Sequence, residues 1–233
     1  MHISRWLLRG SFAVAMLGLA LRAPVSAGVL YDQQFDQSGN AYASQDDTTG
    51  GNGNYATMYD NFTLGSSAII DTVSWVGEYF NPASPSPISG WTVNFYSDSG
   101  GQPGALLSTT SFAGNGNELS QGSYAGYPTY SYSLSSQFLS ASAGTQYWLS
   151  VIPDVGFPPQ WGWTTATGGD ASSFQDFFGS RSAIAADMAF TLSGGPAAVP
   201  EPSALLLAIM GLGGLYPMLA YRRKQAVEHS IAR

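Results

Sequence analysis

The side chains that could do chemistry between Gly28 and Val199 are carboxylates, amides, hydroxyls and aromatic rings, because this stretch has no histidine and no lysine. His2 and His229 lie in the end segments, and the chain has no cysteine. A Ser-His-Asp triad, a His- or Cys-ligated metal, a lysine Schiff base and a thiol nucleophile are thereby excluded. Carboxylate chemistry remains. Hydrolysis of a glycoside needs two acids, one held protonated and one ionised, at a defined separation. Glu78 and Glu118 are the only glutamates of the stretch and the aspartates are scattered mostly in loops, so no pair is nominated. The expectation is a protein that is not an enzyme, with no catalytic residue assigned. An enzyme would require two acids converging in one cleft.

Two binding chemistries are open. Calcium takes six to eight oxygens from Asp, Asn and loop carbonyls. The segment 46–54 offers such groups in Asp46, Asp47, Asn52 and Asn54, although its spacing is not that of an EF-hand loop. The competing reading is a polar loop that binds nothing, and no cofactor other than calcium is suggested. Carbohydrate is the second chemistry, because aromatic faces stack on sugar rings. Trp161 and Trp163, two residues apart, would share one face of a strand, where large aromatics are more often core.

The elements that must carry these residues are strands. Trp91, Val93 and Phe95 alternate with Thr92, Asn94 and Tyr96; Tyr130, Tyr132 and Leu134 alternate with Thr129, Ser131 and Ser133. The same period of two recurs in 147–152 and 187–192, and further strands are expected at 29–35, 58–64, 69–80, 105–112 and 160–165. Gly- and Pro-rich turns at 81–87, 97–104 and 114–122 separate them. Only 10% of residues are charged, against a usual level of about 25%. The expected fold class is all-β, an antiparallel β-sandwich or jelly roll of about nine or ten strands, spanning 28–193. An N-terminal signal helix and a single C-terminal transmembrane helix are expected to flank it.

Charge is distributed to match. Arg181 is the one basic residue between Gly28 and Val199, set against acids from Asp32 to Asp187. Nucleic acid is excluded as a partner, since its affinity comes largely from Lys and Arg neutralising phosphates. Residues 1–27 have the layout of a secretory signal peptide: Arg5 and Arg9, an apolar stretch, then Val25-Ser26-Ala27 as the site at which signal peptidase would cut after Ala27. The alternative is an uncleaved anchor. At the other end a Gly/Pro linker occupies 194–203, and the 18 residues 204–221 are apolar and uncharged. At about 1.5 Å per residue this span nearly matches a bilayer core of about 30 Å. Arg222, Arg223 and Lys224 open a basic tail, 222–233, which the positive-inside rule keeps cytoplasmic. Both ends therefore place the main domain across the inner membrane.

Immediately before the apolar span stands Val199-Pro200-Glu201-Pro202-Ser203. This motif, a short span and an Arg-rich end together resemble the PEP-CTERM sorting tail, also catalogued as the C-terminal domain of ice-binding proteins. The resemblance implies recognition of Pro200, Glu201 and Pro202 by exosortase, a transpeptidase-like intramembrane enzyme of Gram-negative bacteria that make extracellular polysaccharide. It also implies a transient inner-membrane anchor. An ordinary anchor behind a Pro-rich linker is the alternative. A second resemblance, to the choice-of-anchor modules of bacterial surface proteins, is carried by 59–64, 93–104 and 143–151, chiefly the Phe95-Tyr96-Ser97-Asp98 run and the turn after it. It implies a sandwich fold and an exported location, and no chemistry.

Together these readings point to an exported, non-enzymatic surface or extracellular-matrix protein, first membrane-anchored and then at the cell surface or outside it. A carbohydrate-binding or ice-binding adhesin acting on extracellular polysaccharide is the alternative, and a carboxylate-based glycoside-active enzyme a further one. No Thr-x-Thr repeat or solenoid period supports ice.

Overall fold

The computed structural model describes residues 28–197, all of them strand, turn or connecting segment. The signal segment with Val25 and Ala27, the motif Val199 to Ser203, the apolar span 204–221 and the basic Arg222, Arg223 and Lys224 lie outside the described residues. Among the described residues no helix is long and apolar enough to cross a membrane.

The chain is all-β. One sheet runs, in spatial order, β14 (Asp187–Met188), β11 (Gln160–Thr167), β1 (Gly28–Phe35), β15 (Phe190–Pro196), β5 (Ala68–Phe80), β9 (Tyr127–Ala141) and β8 (Leu119–Tyr124), with β2 (Ala41–Ala43) added on β11. The other runs β13 (Ser180–Ile184), β12 (Ser173–Phe177), β4 (Gly53–Thr63), β3 (Gln45–Asp47), β10 (Gln146–Asp154), β6 (Gly90–Asp98) and β7 (Pro103–Ala113), with β4 also pairing β10. Pairing is antiparallel apart from one parallel contact, Asp154 with Asp46.

The two sheets close on one core, an arrangement consistent with a β-sandwich. Alternation sets the faces: Trp91, Val93 and Phe95 of β6 and Val73, Trp75 and Tyr79 of β5 all point inward and are buried. Trp91 is the knob that joins the layers. Its ring lies 4.7 Å from Trp75, 4.7 Å from Tyr132 and 5.1 Å from Trp161, centroid to centroid, and those three belong to the opposite sheet. Edge-to-face contacts of this kind add roughly 0.5–1.5 kcal/mol each beyond the area they bury.

Fifteen strands form among the described residues, where about nine or ten were expected. The extra ones are short and polar. β8 and β13 expose nearly every side chain, so they carry no apolar period to read. They are held by backbone pairing to a neighbour. The domain also extends past the expected edge at 193. Residues 194–196, read as linker, continue β15 and pair with Ala68, Ile69 and Ile70. Gly194 permits this, because a side chain there would run into the Ile69 carbonyl.

Candidate functional site

Three loops meet at one end of the molecule to make an aromatic groove. The β3–β4 hairpin supplies Asn52 and Tyr55, the segment after β10 supplies Phe157, and the β12–β13 hairpin supplies Phe177 and Phe178. The β12–β13 turn is two residues long, Phe178-Gly179, since Phe177 pairs with Ser180. Both turn residues have positive φ, 47° and 79°, as a hairpin turn of the I′ type requires. Glycine accepts that conformation freely, whereas a bulky aromatic is strained there. Phe178 is nonetheless 66% exposed at the hairpin tip.

Tyr55 is the floor. Its ring centroid is 5.1 Å from Phe178, 5.9 Å from Phe177 and 6.4 Å from Phe157, and the three phenylalanines stand around it partly open to solvent. Asn52, Asn81 and Gln160 complete a cavity of about 280 Å³. The Tyr55 hydroxyl donates to Gln45 Oε1 at 2.9 Å. Burial pushes that hydroxyl up to about 12, against an opposing hydrogen bond with Gln160, so it remains neutral. Apolar faces flanked by amides that both donate and accept suit a neutral, hydroxyl-rich ligand.

The residues considered for calcium lie under this groove and hold it together. Asp47 is fully buried. Its Oδ1 accepts from the Gly50 N–H at 2.8 Å and the Phe157 N–H at 3.0 Å, and its Oδ2 accepts from Asn52 Nδ2 at 2.6 Å. Burial raises its pKa, but the donors led by Phe157 and Asn52 outweigh it and hold the carboxyl below the usual range. Asp46 accepts from the Thr48 hydroxyl, and Asn54 Oδ1 accepts from Thr57. These acceptors serve N–H and O–H groups of the chain, and among the described residues no group of three or more acids is placed to hold a metal ion. Asp47 is therefore a clamp tying the β3–β4 turn to Phe157.

Trp161 and Trp163 are correctly placed on one strand face, and that face is the interior. Both are fully buried: Trp161 Nε1 donates to the Tyr132 hydroxyl at 3.1 Å and Trp163 Nε1 to the Ala189 carbonyl at 2.8 Å. Neither ring offers a face to a sugar. Trp75, Trp91 and Trp148 are buried as well.

A second opening lies on the outer face of the first sheet. It has a volume of about 720 Å³ and is walled by Asp36, Glu78 and Asp187 with Tyr42, Phe80 and Tyr127. In β5 the odd positions from Val73 face the core, so Glu78 points outward, yet it is only 2% exposed. Its Oε2 is buried without a hydrogen-bond partner. Burial, reinforced by the Asp36 charge, pushes Glu78 up to about 7. Asp36 behaves oppositely. Burial raises it, but the Thr165 hydroxyl at 2.6 Å and the Ser38 N–H at 2.8 Å leave it below the usual range. One acid raised and one lowered thus share a cleft, a convergence that sequence spacing did not reveal.

The one basic residue among the described residues is engaged elsewhere. Arg181 grips Asp176 through Nε and Nη2 at 2.7 and 2.8 Å and lies 5.0 Å above the Tyr59 ring. The chain matches no family model and no curated protein. Sequence signals for the two openings existed. Phe177 and Phe178 are adjacent in a predicted all-β chain, and neighbours on a strand cannot both face one core. Glu78 is a lone charge inside the apolar run Trp75-Val76-Gly77-Glu78-Tyr79-Phe80.

Proposed function

We propose that this is an exported, non-enzymatic surface or extracellular-matrix protein whose β-sandwich domain, of the jelly-roll kind, holds extracellular polysaccharide in the groove around Tyr55. The observation that carries the binding reading is Phe178, a large ring kept exposed at a strained hairpin tip beside two more open phenylalanines and three amides. Strain retained at a solvent-exposed position is the mark of a site kept for a ligand. An all-β domain with one basic residue, which is itself paired, suits a neutral glycan better than an anionic one.

The sorting half of the proposal rests on the sequence. Val199-Pro200-Glu201-Pro202-Ser203, the apolar 204–221 and Arg222, Arg223 and Lys224 stand in the order that a PEP-CTERM tail requires. In this reading signal peptidase removes 1–27, the span anchors the precursor in the inner membrane, and exosortase releases the domain to the surface or beyond.

Polysaccharide from the native host, immobilised and exposed to the purified protein, tests the binding half. Retention of the wild type with loss in Phe178→Ala supports it, and equal retention of both refutes it. Mass spectrometry of the protein from its host tests the sorting half. A species ending near Pro200, absent in Glu201→Ala, supports exosortase processing; a C-terminal span kept by both shows a plain anchor.

A further inference from the structure

The cleft over Glu78 is walled by a carboxyl group with one oxygen that receives no donor from the chain. Other buried carboxylates receive donors: Asp47 has three, and Asp187, in the same cleft wall, accepts from the Asp170 and Ala171 N–H groups at 3.1 and 2.9 Å. Glu78 has a buried oxygen with nothing donating to it, and this oxygen belongs to a side chain that lines an opening. A buried unpaired acceptor is costly to a fold unless something supplies the donor.

The surroundings state what kind of donor would suit it. Asp36 and Asp187 stand in the same wall, and no basic residue lines it. With three acids and no basic residue in the wall, a cationic donor suits this cleft best. A metal ion fits poorly. No cluster of three acids is positioned for one among the described residues, and the oxygens of Asp36 and Asp187 are occupied by N–H and O–H donors. A volume of about 720 Å³ is that of a small organic ligand. The aromatic walls Tyr42, Phe80 and Tyr127 supply the faces against which an organic cation is favourable.

We propose that this cleft binds a small organic molecule through a protonated primary amine, which donates to Glu78 Oε2 while its carbon frame lies against the aromatic wall. Hydrolytic chemistry is the weaker reading of the same acids, because the oxygens of Asp36 are already held by Ser38 and Thr165 and are not free to attack or to take a proton. Its lining residues are distinct from those of the aromatic groove, although Phe80 of the cleft wall packs in one cluster with Tyr55.

Titration of the cleft makes the proposal measurable. The ionisable groups lining it with Glu78 are Asp36 after β1, Asp187 of β14, Tyr42 of β2 and Tyr127 of β9. Burial raises Glu78 to about 7. An ammonium arriving near about pH 6 must displace the Glu78 proton, so binding should release a proton there and none above about pH 8.

Calorimetry on the mature protein, with cyclohexylammonium as probe and cyclohexanol as its uncharged counterpart, decides the matter. The expected result is binding of the amine at least about tenfold tighter than of the alcohol, with proton release seen as a dependence of the heat on buffer at about pH 6. Glu78→Gln should weaken the amine about tenfold and abolish the proton release. Tyr127→Ala, at the cleft wall, should weaken it several-fold and leave the proton release intact. Equal binding of amine and alcohol, or an unchanged affinity in Glu78→Gln, overturns the proposal. So does displacement of the amine by calcium in proportion to calcium occupancy, or turnover of an oligosaccharide that stops in Glu78→Gln.

Discussion

The sealed interior and the two openings are built from the same residue types and use them in opposite ways. Around Trp91 four rings close on one another and leave no face to solvent; around Tyr55 four rings gather with three of them partly open. The carboxylates divide likewise. Asp47 and Glu78 are both buried, but three donors hold Asp47 ionised while burial without a partner for Oε2 raises Glu78. Residue type and burial alone therefore predict neither role nor charge. For this pair the difference lies in the donors each carboxylate receives.

The contrast can be broken most severely at Trp91. Trp91→Ala should cost about 3–5 kcal/mol, the usual loss for a large buried aromatic. In a domain of this size that lowers the melting temperature by roughly 10 °C, read by calorimetry. Polysaccharide binding by the fraction still folded should be unchanged, since the groove lies elsewhere.

Glu78→Gln tests the open carboxylate. An acid whose folded pKa is raised binds its proton more tightly when folded, so the wild type loses stability as pH rises from about 4.5 to about 7 and loses no more beyond. Relative to the variant, the wild type should fall by about 3 kcal/mol across that window, as followed by denaturant unfolding at several pH values. A flat difference would show that Glu78 titrates normally and that the cleft is wetter than its burial implies.

Asp47→Asn tests the sealed one with the opposite sign. Its lowered pKa means stability that is present above the ordinary carboxylate range and disappears as pH falls through the folded value. The variant turns one acceptor into a donor facing N–H groups, costing about 2 kcal/mol at neutral pH and converging with wild type in acid. Because Asp47 holds Asn52 and Phe157, groove binding should weaken as well.

The smallest effect on folding is expected at Phe178. Phe178→Ala should change stability by no more than about 0.5 kcal/mol, yet lower polysaccharide affinity by about tenfold. If the variant is strongly destabilised instead, the exposed ring is structural and the groove loses its main support.

Much of this was legible in the chain. Strands at 69–80, 91–96 and 147–152 announced themselves because their apolar residues fall at every second position, and the structure has them as β5, β6 and β10. β12 and β13 did not, since Ser173–Phe177 and Ser180–Ile184 mix polar residues on both faces; β12 is held by pairing with β4, and β13 by pairing with β12. The sites were harder still. The tryptophan pair drew attention because indole is the largest aromatic, but size is also what a core needs. The groove uses Tyr55, Phe157, Phe177 and Phe178, brought together from positions far apart in sequence. The cleft is a similar case, as Asp36 and Glu78 meet only because β11 bridges β1 and β5.

The placement of β15 has a mechanical consequence. It lies between β1 and β5 and is hydrogen-bonded along both sides, with Gly28 opposite Gly194. Tension applied to the chain beyond Pro196 would run along the length of this strand. Both ladders would then be loaded in shear and would have to give way together, rather than opening like a zipper one rung at a time. A domain fastened in this way resists drag through its backbone geometry.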